Sequence, residues 1–457
     1  MTRLTSTPYA ALRLGQEATV SRLCRTEDLF VFAHSSGNLN PMHLPDQDGD
    51  GDGVTEAVAP SAWVAALISA VLGNQLPGPG TLYVSQDLRF VGRAHAGATL
   101  TAGVRVTEKL ADRMVRLAVW VDGPAGRIAE GEAIVQAPDA ALSFDEAEVP
   151  GLTVQSHRHF DALLARAEPL PPLPTVVVCP ESPDAVMGAI LGRDHTLIDP
   201  IFVGAPARIR DAAEEAGVDI AGIEIVDVAD HRAAALRAVA LVHEGRARAL
   251  MKGHLHTDQL LHAILKKDTG LRTNRRLSHV FVMDVPGLDH LLFVTDAAIN
   301  IAPDLDCKVS IVQNAIDLAR ALGLEEPKVG ILSAVETVTP SIPSTLDAAI
   351  LSKMADRGQI TGGLVDGPLA MDNAVDPAAA RIKGLTGLVA GRADILVAPN
   401  LEAGNMIAKE LSFLAHAEAA GVVMGAQVPV ILTSRADDDK ARLASCAVAA
   451  LHAESLT

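Results

Sequence analysis

Thr433-Ser434-Arg435-Ala436-Asp437 sets a hydroxyl, a guanidinium and a carboxylate together, directly after the apolar run Val428–Leu432. A short apolar run of this kind reads as a buried strand, and strand exits are where α/β enzymes keep their chemistry. A guanidinium can hold a phosphate through two parallel charge-assisted hydrogen bonds. A carboxylate beside it, such as that of Asp437, can take a proton. The same Ser-Arg-x-Asp pattern also serves as an ordinary helix cap, so the rest of the chain has to decide between the two.

Other strand exits carry polar groups as well. In Met251-Lys252-Gly253-His254, Lys252 can meet a phosphate or simply snorkel along the surface. In Asp366-Gly367-Pro368-Leu369-Ala370-Met371-Asp372-Asn373, Gly-Pro forces a turn that leaves Asp366 and Asp372 beside it; either carboxylate can also cap the next helix. In Pro399-Asn400-Leu401-Glu402-Ala403-Gly404-Asn405, Gly404 and Asn405 are read as opening a helix whose free amides can hold an anion. His254 and His256 have no third ligand at a metal spacing, so no metal site is expected. The run from Asp46 to Gly53 looks like the start of a calcium loop. The bidentate Glu such a loop needs is Ala57 counting from Asp46 and Ala59 counting from Asp48, so a flexible acidic loop is expected instead. There is no Walker loop and no GxGxxG, which leaves an ATPase or a dinucleotide enzyme without support.

These groups must be positioned by more than one domain, because 457 residues exceed what a single core organises. Residues 1–137 hold one apolar helix, Ser61 to Leu72, and then strand-like stretches at 83–91, 99–108, 115–121 and 129–136, separated by Gly and Asp-Gly turns. That predicts an α+β domain with the helix wrapped by a sheet. Residues 138–174 read as a linker, acidic at Asp145-Glu146-Ala147-Glu148, amphipathic around Phe160–Ala167 and closed by Leu170-Pro171-Pro172-Leu173-Pro174. From Thr175 short apolar runs, at 176–179, 201–203, 223–226, 249–251, 280–283, 291–294, 329–332, 363–365, 395–397 and 428–432, alternate with Ala-rich helical segments, which predicts a parallel or mixed sheet covered on both faces. About 280 residues is large for one sheet, so residues 175–457 are expected to form two lobes with a cleft.

A formal charge of −18 argues against nucleic acid and anionic membranes as partners. Cys24, Cys179, Cys307 and Cys446 are far apart and form no CxxC pair, which fits buried thiols in a reducing compartment. No secretory signal is expected from Met1 to Ala10, and no apolar run is long enough to span a bilayer. The expectation is a cytoplasmic protein.

Seven blocks in order across residues 175–457 resemble the phosphate acetyltransferase and phosphate butyryltransferase family. They are Thr295-Asp296-Ala297-Ala298-Ile299-Asn300-Ile301-Ala302-Pro303, Ala334-Val335-Glu336-Thr337-Val338, Ser344-Thr345-Leu346-Asp347-Ala348, the stretch from Asp366 to Asn373, Gly391-Arg392-Ala393-Asp394-Ile395-Leu396, the stretch from Pro399 to Asn405, and the stretch from Thr433 to Asp437. The resemblance implies a two-lobed α/β fold like that of the isocitrate dehydrogenases and acyl transfer between CoA and phosphate. Positioning an acyl phosphate against a thiol can remove roughly 7–11 kcal/mol from such a barrier. It further implies Ser434 as oxyanion donor and Arg435 as phosphate clamp, with substrate contacts from Lys252, Asp366, Gly367, Gly404 and Asn405. The base is left open among Asp437, Asp438, Asp439 and Asp372, because Ala441 stands about where acetyl-transferring relatives place their assisting Asp. The Ser-Arg-Ala-Asp form resembles the butyryl branch.

Residues 10–137 resemble the MaoC-like (R)-specific enoyl-CoA hydratases, which have a hot-dog fold. The resemblance rests on Phe32-Ala33-His34-Ser35-Ser36-Gly37-Asn38-Leu39-Asn40-Pro41-Met42-His43, the apolar helix, Leu76-Pro77-Gly78-Pro79-Gly80-Thr81 and Ser85-Gln86-Asp87-Leu88-Arg89-Phe90. In that family an Asp and a His five residues apart activate water. Here His43 keeps its place and Asn38 replaces the Asp; an amide cannot accept the proton. Pro60-Ser61 stands where the family carries His-Gly, so Ser61 crowds an oxyanion site and Pro60 brings no N–H. A degenerate hydratase domain is expected.

The leading expectation is therefore a phosphate acetyltransferase that uses acyl-CoA and phosphate as substrates, needs no cofactor and forms a homodimer or larger assembly. Its alternatives are a phosphate butyryltransferase, a bifunctional hydratase/transferase and a CoA-responsive scaffold without activity.

Overall fold

Ser61–Asn74 is a helix that buries Trp63, Val64, Leu67, Ile68, Val71 and Leu72. A helix apolar on so many sides has to be enclosed. An antiparallel sheet in the order Glu17–Leu23, Thr99–Lys109, Met114–Gly123, Gly126–Gln136, Leu82–Phe90 encloses it. Along the middle strand Val115, Leu117, Val119 and Val121 are buried and alternate with half-exposed neighbours, as a one-sided sheet requires. This is the hot-dog arrangement. The helix and the four strands expected from sequence are all present. The edge strand Glu17–Leu23 and the helix Thr26–Ser36 are additional; the latter buries only Leu29 and Ala33, too little apolar rhythm to announce a helix.

The computed structural model describes residues 3–145, 157–432 and 438–456, in two units, Met1–Val154 and Gln155–Thr457. The stretch expected to be a linker is thus divided. Arg158–Ala167 is a helix of the second unit that buries Phe160, Leu163 and Ala167, and Leu173 already begins a strand. The physical reason is the amphipathic face of that helix, which needs a core to cover it.

The second unit is built on one eleven-stranded sheet. Its order is Ile225–Asp227, Ile198–Gly204, Leu173–Val178, Ala249–Lys252, Val430–Ile431, Glu418–Met424, Ser278–Asp284, Leu292–Thr295, Ile395–Val397, Lys328–Leu332, Leu364–Leu369. The first five strands are mutually parallel, as are the last four. Glu418–Met424 and Ser278–Asp284 join these halves by antiparallel pairing, so the halves run in opposite directions. One face carries a single core through both halves, with Val177, Phe202, Met251, Val280, Phe293 and Ile395. The opposite face carries two cores, one around Val176, Leu250 and Val430, the other around Met283, Val294 and Leu396. The two lobes are therefore halves of one sheet, distinct on one face only.

Two expectations need correction. Glu418–Met424 was not among the expected strands. Asp366-Gly367-Pro368 lies within the strand Leu364–Leu369 and not in a turn after it. That strand is the outermost of the sheet, where a Pro costs no ladder bond on the free side, and the register against Lys328–Leu332 shifts beside it.

Among the described residues no helix is long and apolar enough to cross a membrane. The four cysteines are free and buried. If Phe160 anchors the helix 158–167 to the second unit, Phe160→Ala should lower that unit's unfolding free energy by about 3–5 kcal/mol, read from chemical denaturation.

Candidate active site

Glu418–Met424 and the strand Val430–Ile431 pair antiparallel, and the N–H of Leu432 still reaches the carbonyl of Gly421. Leu432 is the last described residue before Thr433. Ser434, Arg435 and Asp437 lie outside the described residues. Their place is bracketed by Leu432 and by Asp438, the N-cap of the helix Asp439–Glu454. On the other side of this strand Met251 pairs with Ile431, so the parallel register carries Lys252 to the level of Leu432. Gly253 follows with its backbone packed so closely on Val178 and Cys179 that a Cβ there would strike their carbonyl oxygens. Lys252 is half-buried and ends its strand at the same sheet edge.

A cavity of about 220 Å³ opens at this edge, on the sheet face with two cores. The helix Leu401–Leu414 contributes Asn405, Lys409 and Phe413; the strands contribute Phe281, Glu418 and Ala419; Asp438 and Ala441 close it from the start of the last helix. Asn405 thus shares this cavity with Glu418 and Asp438. Asp366, Gly367, Asp372 and Gly404 are not among its lining residues. Asp366 accepts from the Gly367 N–H at 2.8 Å, and Asp372 is exposed on the short helix Met371–Val375.

The reading of Gly404 and Asn405 as the opening of a helix needs correction. The N-cap is Asn400, whose side chain accepts from Ala403 N–H at 2.9 Å. The Gly404 N–H already serves the Asn400 carbonyl, so it is not a free anion donor. What Gly404 supplies is closeness: a Cβ there would strike the carbonyl oxygen of Asp296. Asn405 donates from Nδ2 to the Ala297 carbonyl at 3.2 Å. The helix is thereby tied to the loop after Thr295. Asp296 shapes that loop by accepting from the N–H groups of Ala298, Ile299 and Asn300 at 2.9, 3.1 and 3.1 Å.

Of the three acids after Arg435, two are already occupied. Asp438 caps its helix by accepting from Ala441 N–H at 2.8 Å, and Asp439 lies 3.3 Å from Arg442. The cavity instead presents Glu418, which sequence reasoning missed. Its side chain is 15% exposed, Oε1 is 3.5 Å from His157 Nε2, and Oε2 has no hydrogen-bond partner. Burial, above all, raises its carboxyl to about 7; Lys440 opposes the rise and Asp438, Asp284 and Asp161 add to it. A lone acid in the Ala-rich run 415–420 was the available signal.

Further along the edge Glu181 is held by the Ala205 N–H at 2.9 Å, Arg208 at 2.9 Å and His231 Nε2 at 3.0 Å. Cys179 lies close enough for Cys179, Glu181 and His231 to share an ion. Burial, then the Glu181 charge, push the thiol up to about 12, and Arg208 already balances Glu181. A metal would need the thiolate, so these residues read as a satisfied ion pair.

In the first unit His43 and Ser61 line one cavity of about 240 Å³. His43 Nδ1 donates to the Val58 carbonyl at 2.8 Å, which leaves Nε2 for a ligand. Ser61 begins the helix, where N–H groups lack intrahelical partners. Asn38 is not among the lining residues; its side chain accepts from Asn40 N–H. In the acidic loop Asp48 accepts from the N–H groups of Gly51 and Gly53 at 2.6 and 2.7 Å, which explains its shape without an ion.

Residues 229–450 match the family described as phosphate acetyl/butaryl transferase. A phosphate acetyltransferase from Rhizobium meliloti is 60% identical over 294 residues, 64% of this chain and 93% of that protein. A branched-chain phosphotransacylase from Enterococcus faecalis V583 matches 61% of this chain and 98% of its own, at 32% identity and a TM-score of 0.54. The unliganded R-hydratase PhaJ1 from Pseudomonas aeruginosa matches 34% of this chain and 100% of its own, at 37% identity and a TM-score of 0.33.

Proposed function

Because this chain belongs to the phosphate acetyl/butyryl transferase family, we propose that it catalyses acetyl-CoA + phosphate ⇌ CoA + acetyl phosphate. It is an acyltransferase. The observation that carries the acetyl assignment is 60% identity across 93% of a phosphate acetyltransferase.

The residues suit the chemistry. Arg435 clamps the phosphate bidentately, Lys252 adds a second positive charge from the neighbouring strand, and Ser434 donates to the tetrahedral oxyanion. Asn405 holds the helix wall of the cavity, and its tie to Ala297 fixes that wall. The reaction as written takes acyl-CoA and phosphate as its partners and needs no further cofactor. Phosphate is anionic and the chain strongly acidic, so a locally basic site is required; Lys252 and Arg435 supply it.

The first unit is a degenerate hydratase domain. His43 and Ser61 share its cavity, but an Asn stands where a proton acceptor is needed and its side chain is turned to the Asn40 N–H. Its outer strand Leu82–Phe90 is exposed except at Leu88, with Leu82, Tyr83, Val84 and Phe90 open to solvent. A bare apolar edge of this kind invites pairing, which supports a homodimer or higher assembly. Four free buried thiols support a cytoplasmic setting.

Release of free CoA thiol by the full chain should require phosphate, be faster from acetyl-CoA than from butyryl-CoA, and fall by about 10²–10³-fold in Ser434→Ala. Equal or faster release from butyryl-CoA would reassign the acyl group, and release that ignores phosphate would remove the transferase. The same chain should show no hydration of crotonyl-CoA above the uncatalysed rate, followed as loss of enoyl absorbance; turnover would make it bifunctional.

A further inference from the structure

Acyl transfer to CoA needs a group to take the thiol proton, because the thiolate is the nucleophile. Among the described acids near the 433–437 segment, Asp438 is spent as a helix cap and Asp439 lies beside Arg442. Glu418 differs from both. It lines the cavity with Asn405 and Asp438, its Oε2 is buried with no hydrogen-bond partner, and it sits at the start of a strand three residues from Gly421. Gly421 faces Leu432, so Glu418 lies about 10 Å further toward the edge where the chain enters Thr433.

We propose that Glu418 is the general base of the transfer, a role that rests on the acyl-transfer reading above. The thiol proton passes to the Glu418 carboxylate as sulfur attacks the carbonyl carbon of the acyl phosphate. A C–S bond forms, the C–O bond to phosphate breaks, and inorganic phosphate leaves with that electron pair. In the reverse direction the protonated Glu418 returns its proton to the departing CoA sulfur.

The surroundings equip it for both directions. His157 Nδ1 donates to the Asp284 carbonyl at 3.3 Å, which fixes the ring and turns Nε2 toward Glu418. Asp284, directly across the ladder, accepts from Phe160 N–H at 2.9 Å and leaves Oδ1 unpartnered. The charged groups around Glu418 are Asp284 on the adjoining strand, His157 and Asp161 at the start of the helix 158–167, Asp438 and Lys440 at the last helix, and Lys409 across the cavity. A carboxyl held near 7 is present in both forms at neutral pH, which is what a base that must also act as an acid requires.

The test compares the full-length protein with Glu418→Gln and Glu418→Asp, using CoA and acetyl phosphate, over about two pH units on either side of neutrality. For the native protein kcat/KM for CoA should rise with pH through about 7 and then level. Glu418→Gln should lose about 10²–10⁴-fold in kcat, lose that rise, and keep KM for CoA within a few fold. Glu418→Asp should recover part of the rate and show a shifted profile. Folding is read separately. The raised carboxyl contributes stability that is fully present below about 4.5 and lost as pH climbs through about 7, so Glu418→Gln should melt no lower than the native protein above pH 7. A Glu418→Gln enzyme within about threefold of native, with the native profile, overturns the assignment and leaves the transferase intact. A native protein that forms no acetyl-CoA overturns the transferase reading itself, and this role with it.

Discussion

The antiparallel ladder between Ser278–Asp284 and Glu418–Met424 is the constraint on which the second unit depends. Seven residue pairs, from Ser278 opposite Met424 to Asp284 opposite Glu418, lock two parallel half-sheets together with opposite polarity. A slip of one residue would turn Val280 and Val282 out of the shared core. The same register places Glu418 at the edge where the strand Val430–Ile431 ends. It also sets Phe281 and Ala419 on the face where the core divides in two. The cavity lies on that face, beside the core around Met283, Val294 and Leu396. The helix Leu401–Leu414 walls it because Gly404 lets that helix approach Asp296 closely.

Much of this architecture was legible in the residues. The first unit's central helix has apolar side chains on most sides, and its strands alternate between turns, so helix-in-sheet follows from periodicity. The parallel strands of the second unit are short Val-, Ile- and Leu-rich runs, and these were found within a few residues. Glu418–Met424 was not, because Glu-Ala-Ala-Gly-Val-Val-Met carries four helix-prone residues, Glu, two Ala and Met, against two β-branched Val. Its position is tertiary: it sits between Val430–Ile431 and Ser278–Asp284, where Gly421 must face Leu432 and the His279 ring closely. Local propensity does not encode such a demand. The bulged course of Asp366-Gly367-Pro368 escaped for a related reason, since Gly-Pro reads as a turn unless the strand is known to be an edge.

Site residues were legible unevenly. Asn405 lies on the cavity wall and Lys252 at the level of Leu432. Gly404 has a packing role that its neighbourhood in sequence disguised as an anion site. Glu418 showed in sequence only as a lone acid in an Ala-rich run, because its perturbation comes from burial and from acids on three other elements, none adjacent in sequence. His279 is another buried titratable group found only in three dimensions; burial lowers it to about 4 against the pull of Asp296. In the first unit the reverse holds. His43 and Ser61 were legible and do line one cavity, while Asn38, standing where the resemblance expects a proton acceptor, lies outside its lining.

In the proposed reaction the acyl group passes to phosphate and not to water. Phosphorus NMR of the full chain with acetyl-CoA and inorganic phosphate reads this directly. An acyl phosphate resonance should grow in step with free CoA thiol, one for one. Free thiol without that resonance would show hydrolysis, and would contradict the assignment of Ser434, Arg435 and Glu418 to group transfer.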